Sequence, residues 1–360
     1  MILFEMTAIL KLPCNRFGPC TIATWPWPSQ NRSRGEAIDT PPKQKTILLK
    51  AALQLSLVAV FVLLIVYFLQ KYSADISGLA SLSPLDILLI AIWSFVSYSA
   101  YAYAVYTMLI HAGLKGVSPF GWLRIYFVSR VANSLVIQGG NVFRLMLLKK
   151  KYNFSYTNSL GITVFLVWVN ALIALLASLF FLIGNEKNVV AVGLDLSSWV
   201  LLFSLTLLAC PVLVVRLINR YRTAAFWNFR IPQLIANVSI YFTDITKDST
   251  LIGKTISLSS IHFFFFAGVN YFCFHAIGYP IGIAETCFFT TAFVFTRYIN
   301  IVPGNLGLSE LVGGLISEHL GIGFGNGLVV TGIVRIVELL MILLLSLMYG
   351  KFVAFKYFSD

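Results

Sequence analysis

Long apolar stretches alternate with short polar ones along the chain from residue 46 onward. A helix that crosses a bilayer needs about 20 consecutive, mostly apolar residues. Stretches of this kind lie at residues 48–69, 85–110, 157–183, 198–218, 255–277 and 326–350. Two more apolar regions, 119–150 and 284–322, contain glycine and asparagine in their interiors. The pattern therefore predicts an all-α polytopic membrane protein with about six full spans and two interrupted regions.

The interruptions run from Ile137 to Arg144 (IQGGNVFR) and from Ile301 to Glu310 (IVPGNLGLSE). Non-helical backbone in hydrocarbon leaves N–H and C=O groups unpaired, so it occurs only where protein or water receives those groups. We therefore expect each interrupted region to be a re-entrant helical hairpin. Broken segments at corresponding places in two halves of a chain are the best sequence indication of a transport site.

The basic residues give this arrangement an orientation. If the six windows span and the two interrupted regions re-enter, 22 of the 26 Lys and Arg residues fall on one side. The other side holds Lys71, Lys187 and Arg297. The positive-inside rule then places both termini in the cytoplasm, in a multi-pass protein of the cytoplasmic (inner) membrane. The halves 46–185 and 196–356 start from opposite faces, which predicts an inverted-topology repeat of six to eight membrane helices whose sequence likeness is limited to a Gly-Asn element.

Composition excludes several other classes of protein. Hydrophobic residues make up 58% of the chain and charged residues 11%, unlike any ordinary soluble domain. The net charge of +12 lies mostly in loops between spans, so we expect no nucleic-acid partner. Cysteine and histidine spacing fits neither a disulfide framework nor a metal site, and we expect no cofactor. Residues 1–45 differ in composition and are predicted to be a disordered cytoplasmic tail outside a single membrane domain at 46–356.

Arg144 is the first candidate for headgroup chemistry. It follows Gly139, Gly140 and Asn141, and an arginine beside an unwound segment can bind a phosphate bidentately with help from free backbone N–H groups. An anchoring role at the cytoplasmic surface is an equally good interpretation of the same residue.

Charged residues within the later apolar regions are also functional candidates, because leaving them in lipid is costly. Glu310 follows the second interruption, where a carboxylate at a helix start is the alternative interpretation. Arg297 precedes the interruption and could pair with Glu310 or meet an anionic substrate, and an exposed position at the outer interface is an equally good interpretation. Arg335 and Glu338 lie three residues apart on the last span, share a helix face, and are predicted to form a structural ion pair, with a place in the substrate path as the alternative.

Two groups of residues carry a family resemblance: Asn133, Gly139, Gly140 and Arg144, and then Pro303, Gly304, Gly307 and Glu310. Over roughly residues 48–350 the chain resembles the transmembrane flippase-like domain of bacterial lysyl-phosphatidylglycerol synthases, which also occurs as a stand-alone integral membrane protein. The resemblance implies movement of a lipid between leaflets. It does not imply aminoacyl transfer, which belongs to a separate soluble domain.

The chain departs from the family pattern at two places. Asn141 stands where the family has an acidic residue, and the apolar stretch 165–169 with Asn170 stands where it has charges on the next span. If those charges contact headgroups or couple transport to ions, this chain lacks part of that apparatus.

The predicted function is therefore translocation of an anionic lipid, either a phospholipid or a polyprenyl-phosphate-linked lipid, by a protein that is not an enzyme. The predicted substrate-binding residues are Asn133, Gly139, Gly140, Asn141, Arg144, Arg297, Pro303, Gly304, Gly307 and Glu310. Two alternatives stay open: an accessory subunit that works with a lipid-synthesis enzyme, and a lipid-dependent glycosyl- or lipid transferase. Membrane lipids are the expected partners, and Gly313-Gly314 offers close helix contact if two chains pair.

Overall fold

The computed structural model describes residues 82–183, 247–299 and 302–350, with short pieces at 190–191, 194–195 and 201–207 and the single positions 209 and 245. All of them belong to one compact unit, Val58–Asp360. The predictions for the tail 1–45, for the span 48–69 and for most of the span 198–218 lie outside the described residues.

The helices are α1 (Pro84–His111), α2 (Pro119–Leu135), α3 (Gly139–Tyr152), α4 (Tyr156–Ile183), α5 (Ser249–Ala276), α6 (Ile283–Tyr298), α7 (Leu308–His319) and α8 (Phe324–Gly350), with a 3-10 turn at Pro303–Asn305. Two short strands, β1 (Val190–Ala191) and β2 (Leu194–Asp195), pair antiparallel, with Val190 opposite Asp195. Apart from this two-residue ladder, the regular structure in the described part of the chain is helical.

Four of these helices, α1, α4, α5 and α8, are long and apolar enough to cross a membrane. They match the predicted windows at 85–110, 157–183, 255–277 and 326–350, so the chain is a multi-pass membrane protein built from helices. The shorter pairs α2–α3 and α6–α7 occupy the two interrupted regions, and each pair is separated by non-helical backbone where the sequence predicts it.

Side-chain caps fix where the long helices begin. Asp86 N–H donates to the Ser83 hydroxyl (3.2 Å) and Ser83 N–H donates to the Asp86 carboxylate (3.0 Å), a reciprocal capping box. At the start of α5, Asp248 accepts from the N–H groups of Thr250 and Leu251, each at 3.0 Å. These caps satisfy N–H groups that have no partner within the helix.

The helices form two sets with the same order and similar lengths. The set α1–α4 has 28, 17, 14 and 28 residues, and the set α5–α8 has 28, 16, 12 and 27. α1 packs along α5, α2 packs against α8, and α6 packs against α4. The first short helix of each set therefore contacts the last long helix of the other set.

The contact between α7 and α8 is made largely by small residues. A Cβ atom added to Gly327 would lie 2.2 Å from the Gly313 carbonyl oxygen, and one added to Gly313 would lie 2.3 Å from the Thr331 methyl carbon. Gly313 and Gly314 are buried in this contact. The close helix contact that these glycines offer is thus made within the chain, between α7 and α8.

Candidate functional site

A cavity of about 110 Å³ lies where α1, α2, α6 and α8 converge with both interruptions. Its lining is unusually polar for a chain of this composition, and it includes three arginines and one glutamate. The lining residues are Tyr98, Arg130, Asn133, Ser134, Ile137, Gln138, Phe293, Arg297, Gly304, Asn305, Ser309, Arg335, Glu338, Leu339 and Ile342. Both interruptions thus end at one shared space inside the helical bundle.

The second interruption reaches this cavity through left-handed backbone. Gly304, Asn305 and Gly307 have φ values of 58°, 56° and 83°, a region that glycine adopts without the strain other residues meet. The Asn305 side-chain amide holds the turn by donating to the Thr296 carbonyl at 2.7 Å. A Cβ added to Gly304 would lie 3.3 Å from the Ser134 carbonyl oxygen, so this turn packs directly against the end of α2.

Arg297 and Glu338 form the central ion pair of the cavity. Nη2 of Arg297 donates to both carboxylate oxygens of Glu338, at 2.9 and 2.8 Å. Its guanidinium also lies over the ring of Phe266, with 4.2 Å between its Cζ and the ring centroid, which is a cation–π geometry. The Tyr98 hydroxyl donates to Glu338 at 2.7 Å and accepts from Arg297 at 3.1 Å, which joins α1 to α6 and α8.

Arg130 approaches the same tyrosine from α2. Its Nη2 donates to the Tyr98 hydroxyl at 3.0 Å, and its Cζ lies 4.8 Å from the centroid of that ring. The Nε–H of Arg130 is buried, and no atom of the described residues accepts a hydrogen bond from it. None of the described carboxylates forms an ion pair with Arg130.

Arg335 holds the second interruption in place from α8. One of its amino groups donates to the Glu310 carboxylate and the other to the Gly304 carbonyl. The second oxygen of Glu310 accepts from the Gly307 N–H at 2.8 Å. Glu310 is buried, and a buried carboxylate needs a counter-charge and hydrogen-bond donors. Arg335 supplies the charge, and each carboxylate oxygen accepts a hydrogen bond.

These contacts correct the predicted Arg335–Glu338 ion pair. The two residues do share a face of α8, as their spacing requires, and both line the cavity. Each pairs instead with a residue from another element: Arg335 with Glu310 and Glu338 with Arg297. The suggested pairing of Arg297 with Glu310 is wrong for the same reason, because both side chains have partners on α8.

The first interruption is organised by Asn133. Its side-chain carbonyl accepts from the Gly140 N–H at 2.7 Å, which satisfies a backbone donor at the start of α3. A Cβ added to Gly140 would lie 1.7 Å from the Ser129 carbonyl oxygen, so only glycine allows α2 and α3 to approach this closely. Asn133 thus has an interhelical role and also lines the cavity.

Arg144 lies on a separate chain of polar contacts. It donates to Asn141, whose amide in turn donates to Gln138, and its guanidinium lies 5.6 Å from the centroid of the Tyr126 ring. Of these residues, Gln138 lines the cavity whereas Asn141 and Arg144 do not.

The structure therefore brings only part of the predicted set together. The predicted residues that line the cavity are Asn133, Arg297 and Gly304. Those that support its walls are Gly139, Gly140, Gly307 and Glu310, together with Pro303 at the start of the 3-10 turn. Asn141 and Arg144 lie outside the lining.

Sequence reasoning misses Tyr98 and Arg130, although a signal for Arg130 exists. Arg130, Asn133 and Gly140 in the first half recur as Arg297, Asn300 and Gly307 in the second, each at a separation of 167 positions. This register differs from that of the Gly-Asn elements, Gly140-Asn141 and Gly304-Asn305, which lie 164 positions apart, and it marks both cavity arginines. Asn300 itself lies outside the described residues.

Comparison with known protein families identifies the family of the chain. The family model described as lysylphosphatidylglycerol synthase TM region matches residues 51–346. The chain belongs to this family. The suspected resemblance is confirmed, and membership of the lysylphosphatidylglycerol synthase TM region family implies a function related to membrane lipids. No curated protein and no solved structure is detectably similar to the chain.

Proposed function

We propose that the protein translocates an anionic lipid between the leaflets of the cytoplasmic membrane, with the lipid headgroup passing through the arginine-lined cavity. The observation that carries this proposal is the presence of Arg130, Arg297 and Arg335 around one space inside an otherwise apolar helical bundle. Ionisable residues at such places in membrane proteins mark substrate or ion paths. The family relationship supports a lipid as the substrate.

The repeated helix order supports a transporter architecture. In this proposal α2–α3 and α6–α7 are re-entrant hairpins that enter from opposite faces, and the two halves form an inverted-topology repeat with both termini cytoplasmic. The matching helix lengths and the reciprocal packing of α2 on α8 and α6 on α4 are what such a repeat produces. Substrate sites in repeats of this type lie between the halves, where discontinuous helices meet.

The cavity wall also offers a route for a lipid tail. Leu339 lines the cavity and is 40% exposed, and its neighbours Ile336 and Leu340 on α8 are 60% and 55% exposed. An apolar surface of α8 therefore borders a polar cavity. A lipid can place its headgroup in the cavity while its acyl chains stay along the apolar surface of α8. The headgroup then stays out of the hydrocarbon and the acyl chains stay out of water.

The proposal is tested by filling the cavity without removing a charge. Purified protein in liposomes is expected to accelerate leaflet exchange of a fluorescent phosphatidylglycerol analogue, measured by quenching of the outer leaflet. Leu339→Trp should abolish the acceleration because the larger ring occupies the cavity. The neighbouring Leu340→Trp is the matched control and should exchange lipid at the wild-type rate.

Two outcomes would overturn this function. Equal exchange by both tryptophan variants would show that the headgroup does not cross the cavity. Absence of exchange by folded wild-type protein, with anionic phospholipids and with polyprenyl phosphates, would favour the accessory-subunit alternative.

A further inference from the structure

The charges around the cavity do not balance. Arg297 is paired with Glu338 and Arg335 is paired with Glu310. Arg130 is the remaining charged residue of the lining, and it donates a hydrogen bond to the neutral hydroxyl of Tyr98. Taken together, the described charges leave the cavity with one unit of positive charge in excess, and that charge belongs to Arg130.

Hydrogen bonding leads to the same residue. An arginine offers several N–H donors in a planar fork, and within the described part of the chain few of those of Arg130 are used. Arg297, by contrast, bonds to Tyr98 and to both oxygens of Glu338. Since an unpaired charge away from water is unfavourable, an arginine left in this state needs an anion that none of the described residues supplies.

We infer that Arg130 is the phosphate-binding residue of the cavity, and that the cavity selects a phosphodiester headgroup whose net charge is minus one. This inference rests on the proposed function for its substrate, and it adds the site and the charge of the headgroup. A phosphodiester would form charge-assisted hydrogen bonds with the unused face of the guanidinium. It would also neutralise the cavity without breaking either existing ion pair.

The same charge balance disfavours two other headgroup classes. A phosphomonoester carries close to two negative charges near neutral pH and would leave one of them uncompensated. A zwitterionic headgroup brings an ammonium group that requires a carboxylate, and the oxygens of Glu338 are already bonded to Arg297 and Tyr98. Phosphatidylglycerol is thus the simplest probe that satisfies the site.

The first experiment measures binding rather than transport. Lipid binding to purified protein in detergent is followed by native mass spectrometry with phosphatidylglycerol, phosphatidic acid and phosphatidylethanolamine. Wild-type protein should prefer phosphatidylglycerol, and Arg130→Gln should weaken that binding by about tenfold or more, the usual effect of losing a charge-assisted hydrogen bond. Arg124→Gln removes an arginine from the same helix but not from the cavity lining, and it should leave the preference unchanged.

The second experiment changes the charge of the cavity deliberately. Glu338→Gln removes one negative charge and leaves an excess of two positive charges, so the preference should move from phosphatidylglycerol toward phosphatidic acid. The double variant Arg297→Gln/Glu338→Gln restores the original balance and should restore the preference for phosphatidylglycerol. A preference that is identical in all three proteins would overturn the inference, as would unchanged binding in Arg130→Gln.

A soluble competitor distinguishes a lipid from a free headgroup. Glycerophosphoglycerol has the same phosphodiester without acyl chains, and it should compete at least about tenfold more weakly than phosphatidylglycerol if the bound species is a lipid. Equal competition would refute a lipid ligand.

The binding assay and the exchange assay together distinguish failure of this inference from failure of the proposed function. Binding that depends on Arg130 without leaflet exchange refutes translocation alone. Exchange with no change in binding on Arg130→Gln refutes the inference alone.

Discussion

At each interruption a backbone N–H group of a glycine needs a hydrogen-bond acceptor, and the two interruptions supply it with different side chains. At the first, the Gly140 N–H is bonded by Asn133, a neutral amide that comes from the helix before the break. At the corresponding position in the second, the Gly307 N–H is bonded by Glu310, a carboxylate from the helix after the break. The two glycines lie 167 positions apart in the chain.

The difference shows that a charged cap makes an interruption depend on a second side chain, the one that balances the charge. The Asn133 cap is complete by itself, because a neutral amide needs no counter-charge. The Glu310 cap requires Arg335, which also holds the Gly304 carbonyl, so the second interruption is tied to α8 by an ion pair and the first is not. We therefore expect the second interruption to be the more sensitive of the two to removal of one side chain.

The largest effect is expected from Arg335→Met. This change leaves the Glu310 carboxylate, which is 6% exposed, without its counter-charge and leaves the Gly304 carbonyl without its donor. Removal of one partner from a buried ion pair typically costs about 3–5 kcal/mol of folding free energy. The measurement is the unfolding of purified protein in mixed micelles by increasing SDS.

Two further variants make this test specific. Arg335→Met/Glu310→Gln should be more stable than the single variant, because no unpaired charge remains. Lys254→Met, at an exposed position on α5, should change stability by no more than about 0.5 kcal/mol. A double variant no more stable than Arg335→Met would mean that the carboxylate is not what makes the second break sensitive.

An intermediate effect is expected from Gly140→Ala at the first interruption. The added methyl group would meet the Ser129 carbonyl, which is backbone and cannot rotate away, so α2 and α3 must separate. Overpacking of this kind costs about 1–3 kcal/mol. Gly253→Ala in α5 is the matched control, because nothing lies within 4 Å of its new Cβ and alanine favours the helix. Equal stability of the two variants in the same assay would refute the close contact.

The smallest effect is expected from Asn133→Ala. Loss of a side-chain cap costs about 1 kcal/mol, and here it leaves the Gly140 N–H unpaired. Asn133→Asp keeps an acceptor oxygen and gives the first break the carboxylate chemistry of the second, one helical turn from Arg130, which pairs with none of the described carboxylates. Unfolding curves should therefore place Asn133→Asp above Asn133→Ala in stability, and the reverse order would show that the cap is not what Asn133 contributes.

The spans are predictable because lipid and packing impose long apolar windows, but their ends depend on local caps. The hydrophobic pattern predicts a span at 255–277, and α5 begins six residues earlier, at Ser249, because Asp248 caps it. The positions of both interruptions also follow from sequence, since glycine, proline and asparagine are poor residues for a helix that must satisfy its backbone in lipid.

The partners within the site do not follow from sequence. A count of basic residues assigns Arg130 to the cytoplasmic side and Arg297 to the outer side, yet both donate to the one hydroxyl of Tyr98. A linear count cannot separate a guanidinium in water from one folded into a cavity. Helical spacing likewise predicts the shared face of Arg335 and Glu338, but their partners come from α6 and α7, whose placement sequence does not specify.

The glycine contact between α7 and α8 has a mechanical consequence. Where Gly313 and Gly327 touch, the surfaces in contact are backbone, and backbone has no rotamers that could adapt to a small sliding movement. The two helices are therefore expected to move together as a rigid pair, and Arg335 of α8 is hydrogen-bonded to the Gly304 carbonyl of the 3-10 turn. We therefore expect the Gly304 turn to follow any movement of α8. Relative movement of helices is expected instead at contacts made by longer side chains, which can change rotamer.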